Sequence, residues 1–80
     1  MITMTLTTRG IEYKGSGDTI EDAFNSITLS WENIKDKGTV KVTDGTKTIN
    51  HLYYIKPLRR IFANKLCRIQ AAKRLGFLFQ

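Results

Sequence analysis

"TVKVTDGTKTINHLYYI" (residues 39–55) decides how this chain is organised. Val40 and Val42 alternate with Thr39, Lys41 and Thr43. Ile49, His51, Tyr53 and Ile55 alternate with Thr48, Asn50, Leu52 and Tyr54. A side-chain period of two marks strands with one face buried and the other wet. Asp44-Gly45 lies between the runs and suits a two-residue turn, because both of its central positions need positive φ. The spacing predicts a β-hairpin with Thr43 opposite Thr46, Val40 opposite Ile49 and Val42 opposite Lys47. The face carrying Val40, Val42, Ile49, His51, Tyr53 and Ile55 is expected to meet helices.

Upstream, "GSGDTIEDAF" (residues 15–24) opens a helix. Asp18 suits the N-cap, Glu21 completes a capping box, and Asp22 complements the positive end of the helix dipole. Ile20, Phe24, Ile27, Trp31 and Ile34 recur at steps of four and three, so one amphipathic helix is expected over 19–36, with Gly38 as its left-handed stop. Leu29 falls on the opposite, exposed side. Before this helix, Ile2, Met4 and Leu6 alternate with threonines, and Ile11 and Tyr13 continue in the opposite phase. Either one long bulged strand or a tight hairpin at Arg9-Gly10 accommodates that change of phase.

Downstream, Pro57 ends the strand pattern and suits a first helical turn. Leu58, Ile61, Phe62, Leu66, Ile69 and Ala72 form the apolar side of a second helix over 58–75, with Gly76 as its stop. The expected fold is a small α+β single domain over residues 1–80, β(β)αββα. A three- or four-stranded antiparallel sheet would carry two helices packed on one face.

Composition narrows the function. Eighty residues with 41% hydrophobic content fit one folded domain with little material for a deep catalytic cleft. No apolar run is long enough to span a membrane, and the start "MITMTLTTRG" does not read as a signal peptide. A lone Cys67 sets a reducing, intracellular (cytoplasmic) environment as the expectation.

Charge is the informative feature. Residues 1–44 hold five basic and seven acidic side chains, whereas residues 45–80 hold eight basic and none acidic. That asymmetry points to a polyanionic partner, the alternative being a solvated basic face. The expected contact set is Arg59, Arg60, Lys65, Arg68, Lys73 and Arg74, supported by Lys41, Lys47 and Lys56. In projection, Arg60, Cys67 and Arg74 fall opposite the apolar strip of the second helix. Tyr54, on the wetter sheet face beside Lys41 and Lys56, offers a ring on which a base would stack; the plainer reading is a tyrosine packed over threonines.

Other motifs read as structure. The glycines of "YKGSGDT" (residues 13–19) form a turn at a helix start, but Asp18, Glu21 and Asp22 crowd it and repel phosphate. His51 and Cys67 supply at most two metal ligands, so no metal or cofactor is expected. Asp18, Glu21 and Asp22 belong to the cap, while Glu32 and Asp36 pair beside Lys35.

The leading expectation is a non-enzymatic protein whose basic C-terminal helix contacts the backbone of RNA or DNA. The alternative is an inhibitor, of the kind phages encode, that binds a host protein through the same surface. A metal-free ribonuclease relying on His51 is the enzymatic reading. Phe77, Leu78 and Phe79 either fold back onto the sheet edge or form a homodimer contact. In length and basic end the chain resembles small accessory proteins of phages and small ribosome-associated proteins as a class.

Overall fold

A computed structural model describes residues 1–29, 31–34 and 36–79, except for the Trp31 side chain. The expected places of Trp31 in the apolar stripe and of Lys35 beside Glu32 and Asp36 lie outside the described residues. The strands are β1 (Ile2–Thr8), β2 (Ile11–Gly17), β3 (Lys37–Thr43) and β4 (Thr48–Tyr54), and the helices are α1 (Ile20–Ser26), α2 (Ile55–Ala63) and α3 (Lys65–Phe79). A 3-10 turn, Trp31–Asn33, lies between α1 and β3. The strands form one antiparallel sheet in the order β2-β1-β3-β4. The small α+β architecture is as expected, with four strands.

The phase change in residues 2–15 is a hairpin. Thr8 pairs with Ile11 and Leu6 with Tyr13, so even positions of β1 face the same way as odd positions of β2. Arg9 and Gly10 take positive φ of 51° and 77°, as a turn whose twist matches two antiparallel strands requires.

The second hairpin has a different register from the one its turn dipeptide predicts. Thr43 pairs with Thr48, Val42 with Ile49 and Val40 with His51. The loop is Asp44–Lys47, because the Asp44 carboxylate accepts from the backbone N–H of both Thr46 and Lys47 at 2.8 Å. An Asx turn therefore replaces the two-residue turn. The shift is by two residues, so every side chain keeps its face. Ile55 leaves the strand and begins α2.

The predicted helix over 19–36 is only Ile20–Ser26. Thr19, not Asp18, is its N-cap and accepts from Asp22 N–H at 3.1 Å. At the other end Asn25, Ser26, Ile27 and Thr28 are weak helix formers, and Ile27 turns extended. The apolar periodicity still located core: Phe24, Ile27 and Ile34 are buried although only Phe24 is helical. Leu29, expected in solvent, is half-buried against the core.

Gly38 is not a helix stop. It lies buried in β3, where a Cβ would stand 2.6 Å from the Leu58 side chain, so its missing side chain seats α2 on the sheet. The "YKGSG" segment is likewise strand, not turn. A Cβ on Gly15 would collide with the Ala23 carbonyl and stand 2.6 Å from Ile27 Cγ1, so α1 lies against bare backbone. Ser26 Oγ fastens the contact by accepting from Ser16 N–H at 2.8 Å.

The core is formed by Met4, Leu6, Val40 and Val42 from the central strands, meeting Phe24, Ile34, Leu58 and Leu75. Phe24 and Phe62 meet edge to face at 5.9 Å between centroids. Helices cover this face alone; the other bears Thr3, Thr5 and Thr7 along β1, flanked by Lys14 and Lys41.

The predicted second helix is two helices. Asn64 is extended (φ −133°, ψ 124°); its N–H donates to Arg60 O, and its side chain accepts from Leu66 N–H at 2.9 Å. One residue ends α2 and caps α3, an alternative to helix that short amide side chains offer the backbone. The break changes the helical phase. Leu66, expected in the core, is 67% exposed, while Ala71, Ala72 and Leu75 are buried. Gly76 does not stop α3, which continues to Phe79.

Candidate nucleic-acid interface and a basic cleft

The break at Asn64 sorts the predicted contact residues into groups. Lys56 and Arg60 project from α2, and Arg74 from α3, into a cleft of about 400 Å3 bounded by β4, α2 and α3. Pro57, Ile61 and Ala71 supply its apolar lining, and Tyr53, Cys67 and Gln70 complete the wall. Arg60, Cys67 and Arg74, grouped by the projection of one continuous helix, meet here across two helices. Among the described residues, Lys56, Arg60, Lys65, Lys73 and Arg74 are exposed and pair with no carboxylate. Asp36 is instead paired with Arg9 at 3.9 Å.

Arg68 has structural work. Its Nε donates to Asn25 Oδ1 at 3.2 Å and its Nη1 to Phe62 O at 2.9 Å. It therefore links α3 to α1 and places positive charge on a carbonyl in the last turn of α2, where the helix dipole favours it. Arg59 is half-buried. Lys47 Nζ donates to Phe79 O at 3.4 Å, at the C-terminal end of α3. Lys41 and Tyr54 point from the helix-free face of the sheet, away from the cleft. Tyr54 sits across from Lys37, not beside Lys41.

Tyr53 is the residue whose role the strand pattern did not announce. It is 7% exposed, and its hydroxyl has no hydrogen-bond partner among the described residues. A buried donor left unpaired costs about 1–3 kcal/mol. Burial raises its pKa above the ordinary 10.0, and the positive charge of Arg74 works against that rise. The hydroxyl thus remains a proton donor at neutral pH. Its ring meets that of His51 edge to face, with centroids 4.6 Å apart.

His51 is half-buried on the helix-facing side and does not line the cleft. Among the described residues no three His, Cys, Asp or Glu side chains gather as a metal site. At the former glycine-turn candidate, Ser16 N–H is engaged by Ser26 and the glycines face α1, so there is no phosphate cradle. Phe77 and Leu78 are exposed, whereas Phe79 packs on the core. No helix among the described residues is long and apolar enough to cross a membrane. Compared with known proteins, the chain matches no family model, no curated protein and no solved structure, so the geometry of its own residues carries the functional reading.

Proposed function

We propose that this protein acts by binding, without turnover, and contacts the sugar-phosphate backbone of RNA or DNA through the outer surface of α2 and α3. One observation carries the reading: Lys56, Arg60, Lys65, Lys73 and Arg74 lie exposed on two adjoining helices with no carboxylate paired to them among the described residues. Guanidinium groups match phosphate oxygens in pairs, and each neutralised phosphate releases counterions. Arg59 extends this surface from α2, and Lys47 lies at its edge. Arg68 contributes charge while holding α1 and α2 in place. Lys41 and Tyr54 belong to the opposite face and would engage only a strand that wraps the sheet edge. A reducing compartment suits the lone Cys67.

The test is fluorescence anisotropy with mixed-sequence RNA and DNA across a salt series. The expected result is a log–log slope of about −3 to −5, reflecting the exposed cations. Absence of binding near 50 mM salt, or a flat slope, overturns the reading.

A second reading, an inhibitor that grips another protein through the same basic surface, draws on exposed Leu66, Phe77 and Leu78 along α3. Apolar anchors beside arginines suit a protein interface better than a phosphate backbone. Purification from the native cell with nuclease distinguishes the two: a polypeptide that stays bound supports the inhibitor, and its loss with the polynucleotide supports the first reading. Phe77 and Leu78 also leave room for a homodimer, which concentration-dependent sedimentation would detect.

A further inference from the structure

We propose that the cleft between β4, α2 and α3 is a binding site for a phosphate monoester carried on a flat or apolar body, with a nucleoside 5′-phosphate as the fitting class. Three of the five cations of the proposed polynucleotide surface, Lys56, Arg60 and Arg74, line this cleft, so the inference shares residues with that reading but names a different ligand.

Four features converge on it. Lys56, Arg60 and Arg74 come from two helices to one concavity whose lining contains no Asp or Glu. Like charges gathered without a counterion repel one another, and an anion seated among them relieves that repulsion. A monoester carries close to two negative charges at neutral pH and three acceptor oxygens, which suits two forked guanidinium groups and an ammonium better than a singly charged diester. Tyr53, in the wall, has a covered hydroxyl with no hydrogen-bond partner among the described residues, and an anion oxygen would provide one once the side chains over it part.

The rest of the cleft fits the body of such a ligand. Pro57, Ile61 and Ala71 give it an apolar side, and Gln70 offers both a donor and an acceptor to a polar ring edge. Its volume of about 400 Å3 falls within the range of sites that hold small organic molecules. Such sites combine a mostly apolar wall with a few convergent polar groups.

Isothermal titration with AMP, adenosine and cyclic AMP tests the assignment on the full chain. AMP is expected to bind at least about tenfold more tightly than adenosine or the cyclic diester. Arg60→Ala and Arg74→Ala are each expected to weaken AMP by about tenfold, and Tyr53→Phe by several-fold, with circular dichroism unchanged. Lys14→Ala, on the helix-free face, serves as the control and leaves AMP affinity unchanged. AMP binding no tighter than adenosine, or undiminished in both arginine variants, overturns the proposal.

Competition with a short oligonucleotide, with and without a 5′-phosphate, identifies the source of the group. Preference for the phosphorylated end supports a site for a chain terminus. Failure of both oligonucleotides to displace AMP supports a site for a free nucleotide, and equal displacement by the two shows that backbone diesters fill the cleft and overturns the monoester assignment. Polynucleotide binding without AMP binding overturns the cleft alone, and AMP binding without polynucleotide binding overturns the surface reading alone.

Discussion

On the β2 side of the sheet a helix lies flush against its strand; on the β4 side two helices leave a cleft. The difference follows from what each edge strand presents. β2 offers α1 the bare backbone of Gly15, and no void need remain. β4 offers His51 and Tyr53, and the helices beyond it border, with Tyr53, an open cleft of about 400 Å3. Charge follows the same division. α1 carries Glu21 and Asp22 in its first turn, while α2 and α3 carry no acid at all. The closely packed side is built for stability, whereas the open side exposes cations and buries the Tyr53 hydroxyl without a hydrogen-bond partner among the described residues.

The largest expected effect is at the anchor of the open side. Leu58 is fully buried over Gly38, and Leu58→Ala is expected to cost about 2–5 kcal/mol in urea unfolding. A domain of this length has roughly 4–12 kcal/mol in total, so this one variant would remove a large share of its stability. If Leu58→Ala is silent, α2 is not held by that seat.

A single methyl sharpens the contrast between the two sides. Gly15→Ala forces its Cβ against α1 and is expected to destabilise by about 1–3 kcal/mol. Gly76→Ala meets nothing within 4 Å inside α3, and is expected to stabilise by about 0.5–1 kcal/mol. Equal effects from both would erase the distinction between a flush and an open side.

The cations should separate stability from binding. The double variant Arg60→Ala with Arg74→Ala is expected to change stability by no more than about 0.5 kcal/mol, since both side chains are exposed and unpaired among the described residues. Its salt slope for polynucleotide should flatten by about 1.5–2. An unchanged slope removes these two arginines from the interface.

The smallest effect lies in the β3–β4 loop. Backbone N–H bonds from Lys47 and then Thr46 lower the Asp44 pKa below its ordinary 3.8. A carboxylate with a lowered folded value stabilises fully above its unfolded value and loses that contribution as pH falls through the folded value. Urea midpoints of the native chain and Asp44→Asn should therefore differ by a constant amount above about pH 5 and converge under stronger acid. A difference that grows on acidification contradicts the loop geometry.

Much of this was legible in residue order, and particular residues show where legibility ended. The alternation around Val40, Val42, Ile49 and Tyr53 identified the strands and the buried face. The turn dipeptide Asp44-Gly45 marked the loop but misplaced the register, because the preference of two residues does not register the hydrogen bonds Asp44 makes to Thr46 and Lys47. Phe24, Ile27 and Ile34 were recognisable as core from their spacing, yet only α1's seven residues are helical, since burial and helicity are separate properties. The basic residues were evident at once. Which of them face a common space depended on Asn64, whose side chain ends one helix and starts the next.

Residue order by itself determined the strand pattern, the burial of one sheet face and the concentration of unbalanced positive charge after Asp44, because these are properties of single residues and short periods. Tertiary structure alone decided that Lys56, Arg60 and Arg74 surround one cleft while Arg68 is drawn to Asn25 and Phe62. The physical reason is that convergence depends on the angle between α2 and α3 and on the bulk of Tyr53 beneath them, and both are set by packing between segments distant in the chain.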